Sequence, residues 1–369
     1  MLGAITANLS QGASPEANRD ALQAALDTHR PVHISRGLYP LAPGAQAKGP
    51  GQTVFGDGPH QTLLDCRGDG NFLSDGEMWG FRVQDLQLLG KLGGQQVTGG
   101  YAIVMDGSVG SNSAAWQMIN CRVRNVLIDG MHHGLYIKDQ NNFIADDLQM
   151  AAMQGDGIVC ESLNSNWRTD CVTLRDIQFQ PTIEAVQAGR GTALIIDGNI
   201  QTVNIDNFNA VASYRGLDVR NTAALPFGSH AAFIYASNLY VDFPQLEAVK
   251  ISHVDQARFT DCYFHGSRAG SGLVFDAGAR QIKLSNCNST GHWSNGMHFN
   301  GSNLTIHGCD LTNNSQGMQS WAAGLVVTSP ARVGLHGGTA RGPRHIADIY
   351  RANAGAVINI FGTEGTKNF

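Results

Sequence analysis

One phrase returns along this chain and limits what it can fold into. Gly272-Leu273-Val274-Phe275, Gly296-Met297-His298-Phe299 and Gly324-Leu325-Val326-Val327 each open with glycine and then place apolar residues at alternating positions. Between them lie Ile282-Lys283-Leu284-Ser285-Asn286-Cys287 and Leu304-Thr305-Ile306-His307-Gly308-Cys309. Leu273 to Met297 is 24 residues, Met297 to Leu325 is 28, and Cys287 to Cys309 is 22. Alternation this short has the period of a strand and cannot fill a helix. Short strands returning at a spacing of roughly 20 to 50 residues mark a repeat architecture. A β-sandwich also has short strands and frequent turns, but has no reason to repeat one phrase at one spacing. The expected fold is all-β: a parallel β-helix, a solenoid wound from short strands.

The spacing continues upstream. Leu135, Ile158, Leu194, Leu217 and Val249 follow one another at 23, 36, 23 and 32 residues. Intervals near 23 read as bare windings and the longer ones as windings with a protruding loop, at residues 164–169 and 223–244. At the start, Ser14-Pro15-Glu16-Ala17 is a helix signal, with a capping hydroxyl, proline in the first turn and an acid at the positive end of the dipole. His29-Arg30-Pro31 stops that helix, whose expected task is to cover the open end of the first winding. The expected organisation is an N-terminal segment with a capping α-helix at 1–31, a parallel β-helix at 32–328, and C-terminal coils or tail at 329–369. That last stretch carries Arg332, Arg341 and Arg344.

Composition narrows the chemistry. Glycine accounts for 45 of 369 residues, about 12% against roughly 7% in ordinary chains, which suits a fold with several tight corners per winding. Charged residues are 15% and the net charge is −5 with no basic run, so nucleic acid is not an expected partner. No stretch is apolar enough to insert in a membrane, and residues 1–8 lack the basic and apolar regions of a classical signal peptide. The seven cysteines show no Cys-x-x-Cys and mostly end strand phrases, so they read as buried small hydrophobes from a reducing compartment.

Stacked windings bring distant residues into columns. Aligning the phrase puts Ile137, Cys160, Ile196, Val219, Ile251, Phe275 and Phe299 at one inward position. Glu161, Asp197, Asp218 and Arg220 then share one outward face over three windings, and neighbouring windings lie about 4.8 Å apart. Glycosidic-bond hydrolysis needs two carboxyl groups at such separations, one of them protonated. Glu161, Asp197 and Asp218 are candidate catalytic acids, although each could equally be an ordinary surface ion-pair partner. Glu247, two residues before inward Val249, is a fourth. It adjoins Tyr235, Tyr240, Asp242 and Phe243, the aromatic and acidic mixture that binds sugars. Gly155-Asp156-Gly157 reads as a turn. Arg220, Tyr240, Asp242, His265, Arg268 and Trp293 are candidate substrate contacts, and His265, Arg268, His292, Trp293 and His298 form a polar stripe. His292 and His298 lack clustered carboxylates, so no metal and no cofactor is expected.

Asn18-Arg19-Asp20-Ala21-Leu22-Gln23-Ala24-Ala25-Leu26, then Val32-His33-Ile34-Ser35-Arg36-Gly37-Leu38-Tyr39-Pro40-Leu41, then Val54-Phe55-Gly56-Asp57-Gly58 resemble the start of pectate-lyase-like right-handed parallel β-helix proteins. The resemblance runs from about Glu16 to Thr328 and is nearest to bacteriophage tailspike polysaccharide depolymerases. It implies a homotrimer, extracellular or virion-associated, that hydrolyses a bacterial or other complex polysaccharide with paired carboxylates. The alternatives are a lyase or epimerase on acidic sugars, with Arg220, His265 and Arg268 neutralising the sugar carboxylate, and a non-catalytic glycan-binding spike or adhesin.

Overall fold

Each repeated phrase forms a strand because its alternating side chains meet two environments, a packed interior and water. The computed structural model describes residues 3–75, 80–92, 95–107, 120–163, 169–226, 231–317, 323–340, 347–362 and 367–368. Residues 164–168 of the first expected loop, residues 227–230 of the second, and Arg341 and Arg344, lie outside them. The fold is an all-β right-handed parallel β-helix with a capping helix at its N-terminus. It divides into two compact units, Met1–Gly191 and Thr192–Phe369.

In the N-terminal unit, helix Pro15–Leu26 starts where Ser14 Oγ accepts from the Ala17 amide at 3.1 Å. Leu22, Ala25 and Leu26 are its buried side. Asn18 joins them because its amide bonds Ser10 and the Pro40 carbonyl, so a polar group is buried without loss. One face of the unit stacks Ala45–Ala47, Leu73–Asp75, Tyr101–Asp106, His133–Lys138 and Ile158–Ser162 in parallel. A second short helix, Ile183–Gln187, was not expected; Thr182 caps it as Ser14 caps the first. Lys91–Leu92 and Gln95–Gln96 form an antiparallel pair outside the stack.

The C-terminal unit repeats the plan. Its first sheet runs through Leu194–Gly198, Leu217–Arg220, Val249–Val254, Leu273–Ala279, Met297–Phe299, Ala323–Val327 and Ala347–Arg351. The register pairs Leu217 with Val249, Val249 with Leu273, Leu273 with Met297 and Met297 with Leu325, the alignment read from the sequence. Its second sheet contains the long strand Phe233–Asp242, bent at Asn238, which has a positive φ of 51°. The next winding meets the two halves with two strands, Gln256–Thr260 and Tyr263–His265, broken at Asp261 with φ 53°. Asn and Asp tolerate this left-handed geometry better than other side chains, so they mark the corner.

The glycine that opens each phrase has a different cause, close approach. A Cβ on Gly272 would lie 2.3 Å from His292 Nε2 and Ser289 Oγ, and one on Gly296 would lie 2.4 Å from Asn314 Nδ2. Inside, Phe259, Phe264, Phe275 and Phe299 are fully buried. Cys262, Cys287 and Cys309 stack as expected, the Cys287 amide reaching Cys309 Sγ at 3.3 Å. Cys171 departs from expectation: it is exposed, at a corner with φ 53°.

Candidate functional site

The outward face of the first sheet of the C-terminal unit carries a groove of about 520 Å³. Val274, His298, Val326 and Tyr350 form its floor, one residue per winding in register. Glu247, Ser271 and Asn295 form one wall, each two residues before the inward residue of its winding. Thr328 and Ala352 contribute from the opposite side.

Glu247 belongs to a charged network. Arg215 Nε lies 2.7 Å from Glu247 Oε2, and Arg215 Nη1 lies 3.6 Å from Asp218 Oδ2. The register sets Asp218 beside Lys250 on the next winding, and Arg220 Nε is 4.0 Å from Asp218. Burial raises the Asp218 carboxyl above the usual carboxylate range, although Arg215, Arg220 and Lys250 all pull it down. Both carboxyl groups contact one rigid guanidinium, which ties them together on neighbouring windings. On the groove floor His298 is shifted down by burial, against the pull of Asp276, and Nε2 meets Thr328 Oγ1 at 3.1 Å.

The other expected residues fall in three places. Asp197 pairs in register with Arg220, and both its oxygens are taken by Thr222, from the amide at 2.9 Å and from Oγ1 at 2.6 Å. It thus fastens the turn after its neighbouring strand. Glu161 lies in the N-terminal unit, where the Tyr136 hydroxyl donates to Oε1 at 2.6 Å and Lys138 is its register partner. Near it, His133 stacks on Tyr101 at 4.8 Å, and burial lowers His133 to about 4. A Cβ on Gly155 would be 2.7 Å from that imidazole, so the Gly155-Asp156-Gly157 turn is also the seat of His133.

Tyr240, Asp242 and His265 stand on the second sheet of the C-terminal unit, not on the groove face, with Asp242 Oδ1 2.8 Å from His265 Nδ1. Arg268 and Trp293 are exposed at the corner beside groove residues Ala269 and Ser294. The expected polar stripe is split: His292 is buried, accepting from the Ser267 amide at Nδ1 and meeting Ser289 Oγ at Nε2. Burial holds it neutral, down to about 3. Sequence reasoning missed Arg215, Lys250 and Tyr350. Arg215 precedes Leu217 by the offset at which Glu247 precedes Val249, so the same alignment carried two residues upstream reaches it. Among the described residues no group of three metal-ligating side chains occurs, and no helix is long and apolar enough to cross a membrane.

Residues 192–337 match the family described as right handed beta helix region. Comparison with curated proteins found no match. Among solved structures, the catalytic unit of a GH87 α-1,3-glucanase from Streptomyces thermodiastaticus superposes with TM-score 0.57 at 12% identity, covering 100% of this chain and 70% of that one. The mannuronan C-5 epimerase AlgE4 A-module of Azotobacter vinelandii gives 0.50 at 14% identity, covering 98% and 94%. The enzymatically active domain of bacteriophage CBA120 tailspike protein 2 gives 0.53 at 10% identity; this chain is covered to 97% and spans 47% of that chain. At these identities the shared property is the fold: a right-handed β-helix also found in carbohydrate-acting proteins.

Proposed function

We propose that this protein cleaves a polysaccharide by hydrolysis, with Asp218 as proton donor and Glu247 as the carboxylate that attacks the sugar or activates water. The observation that carries this reading is the network around Arg215. It joins a carboxyl raised by burial to a second carboxylate that lines an open groove. Environments that push two acids apart in pKa divide the acid and base roles between them. A cleft open along successive windings suits an enzyme that cuts within a polymer, and the groove's apolar floor suits sugar C–H faces. The fold's other carriers support a glycan as substrate. Extracellular or virion-associated action and a trimeric assembly complete the proposal.

A lyase or epimerase on an acidic sugar is the second reading, favoured by neutral His298 on the groove floor, with Tyr350 two windings further along it. Incubation with α-1,3-glucan, mannuronan and bacterial surface polysaccharides distinguishes the two. Hydrolysis gives new reducing ends without ultraviolet-absorbing unsaturated ends. Unsaturated ends mean a lyase, inverted sugars at unchanged length mean an epimerase, and an unaltered polymer that stays bound means an adhesin.

A further inference from the structure

The second sheet of the C-terminal unit carries four rings in contact. Tyr240 and Tyr263 face each other on successive windings with centroids 6.1 Å apart; Tyr263 stacks on His265 at 5.8 Å; and Phe243 meets His265 edge-on at 4.9 Å. Tyr240 is 45% exposed and Phe243 43%, unusually open for residues of this size. Asp242 gives one oxygen to His265 Nδ1, and its other oxygen has no partner among the described residues.

Phe243 is the telling residue. It occupies a corner column with Ala212, Gly266 and Gly291, each amide bonding to the next winding in the same way. All four have a positive φ, 51° at Ala212 and Phe243, 68° at Gly266 and 72° at Gly291. The column favours small residues, and a bulky side chain there strains the backbone. Phe243 recovers little of that cost by burial, since its ring stays open to solvent. Gly266 makes room for it: a Cβ there would lie 2.7 Å from the Phe243 ring. Backbone strain that presents an aromatic face to water has its purpose outside the fold.

We infer that Tyr240, Tyr263, His265 and Phe243 form a second glycan-binding surface, on which pyranose rings stack while Asp242 accepts their hydroxyls. Tilted aromatic faces with an acceptor beside them are the chemistry of sugar C–H and O–H groups. Windings about 4.8 Å apart repeat the rings at close to the length of a sugar unit, so a chain running along the solenoid axis meets them in turn. This surface lies on a different sheet from the groove and does not depend on catalysis there.

Affinity electrophoresis in gels containing mannuronan or carboxymethylated α-1,3-glucan tests it. Wild type and Glu247→Gln should both be retarded by at least one polymer. Phe243→Gly with Tyr240→Ser should bind roughly tenfold more weakly, the loss of two stacking rings. Phe243→Gly alone, which relieves strain, should melt no lower than wild type, so weaker binding cannot be ascribed to unfolding. Undiminished retardation of the double variant would overturn the inference. So would absence of retardation of wild type by both polymers, since ring stacking accepts any pyranose chain with an open face. A change of oligomeric state on sedimentation would instead make this face a contact between copies, and overturn it too.

Discussion

Arg215 and Glu247 meet across adjacent windings, guanidinium Nε to carboxylate Oε2 at 2.7 Å. Both side chains are only 18% exposed, and each stands two residues before an inward residue of a paired strand. The guanidinium also reaches Asp218, so removing any member changes the charge felt by the other two.

Lys250 offers the mildest way to show this. It is the register partner of Asp218, lowers that carboxyl, and makes no ion pair within 4 Å among the described residues. A proton donor works only while protonated, so kcat/KM should fall as pH rises through the raised Asp218 pKa. Lys250→Met removes an opposing positive charge and should move this alkaline limb to higher pH. An unmoved limb in a pH–rate profile would assign it to another group.

Buried His292 predicts how stability changes with pH. Its folded pKa, about 3, is below the unfolded value near 6.5, so the unfolded chain binds the extra proton. The stabilising contribution is therefore complete above about pH 6.5 and is lost as pH falls towards 3, by about 1.4 kcal/mol per pH unit. Urea unfolding between pH 7 and about 4.5 should show this slope, and His292→Asn should flatten it by about one proton. An equal slope in the variant would place the linkage elsewhere.

The phrase glycines predict a contrast in tolerance. Gly272→Ala sets a methyl 2.3 Å from His292 and Ser289, and should destabilise by about 1 to 3 kcal/mol or more in chemical denaturation. Gly12→Ala meets nothing within 4 Å and should stay within about 0.5 kcal/mol of wild type. Similar losses at both positions would mean that close winding contact is not why the glycine recurs.

Inward residues were legible because alternation encodes them. Leu217, Val249, Leu273 and Met297 fall in one register as the spacing requires, and that register carries Asp218, Lys250, Val274 and His298 outward. The groove wall was less legible, because Glu247, Ser271 and Asn295 stand at the corner before the strand, where alternation has ended. Burial of His292 was hidden for a related reason. A corner histidine reads as solvated until Ser267 and Ser289 are known to satisfy both its nitrogens. Asp197 looked like its neighbour Asp218, and only the two bonds from Thr222 separate a fastening carboxylate from one that shares an arginine with Glu247.

The most direct measurement is turnover of a cleaved polysaccharide by Glu247→Gln and Asp218→Asn, with melting temperature recorded for each. Both should lose at least ~10²-fold in kcat, the scale of a general acid or base, and melt close to wild type. Full turnover by either variant would contradict the assignment of the reaction to this pair.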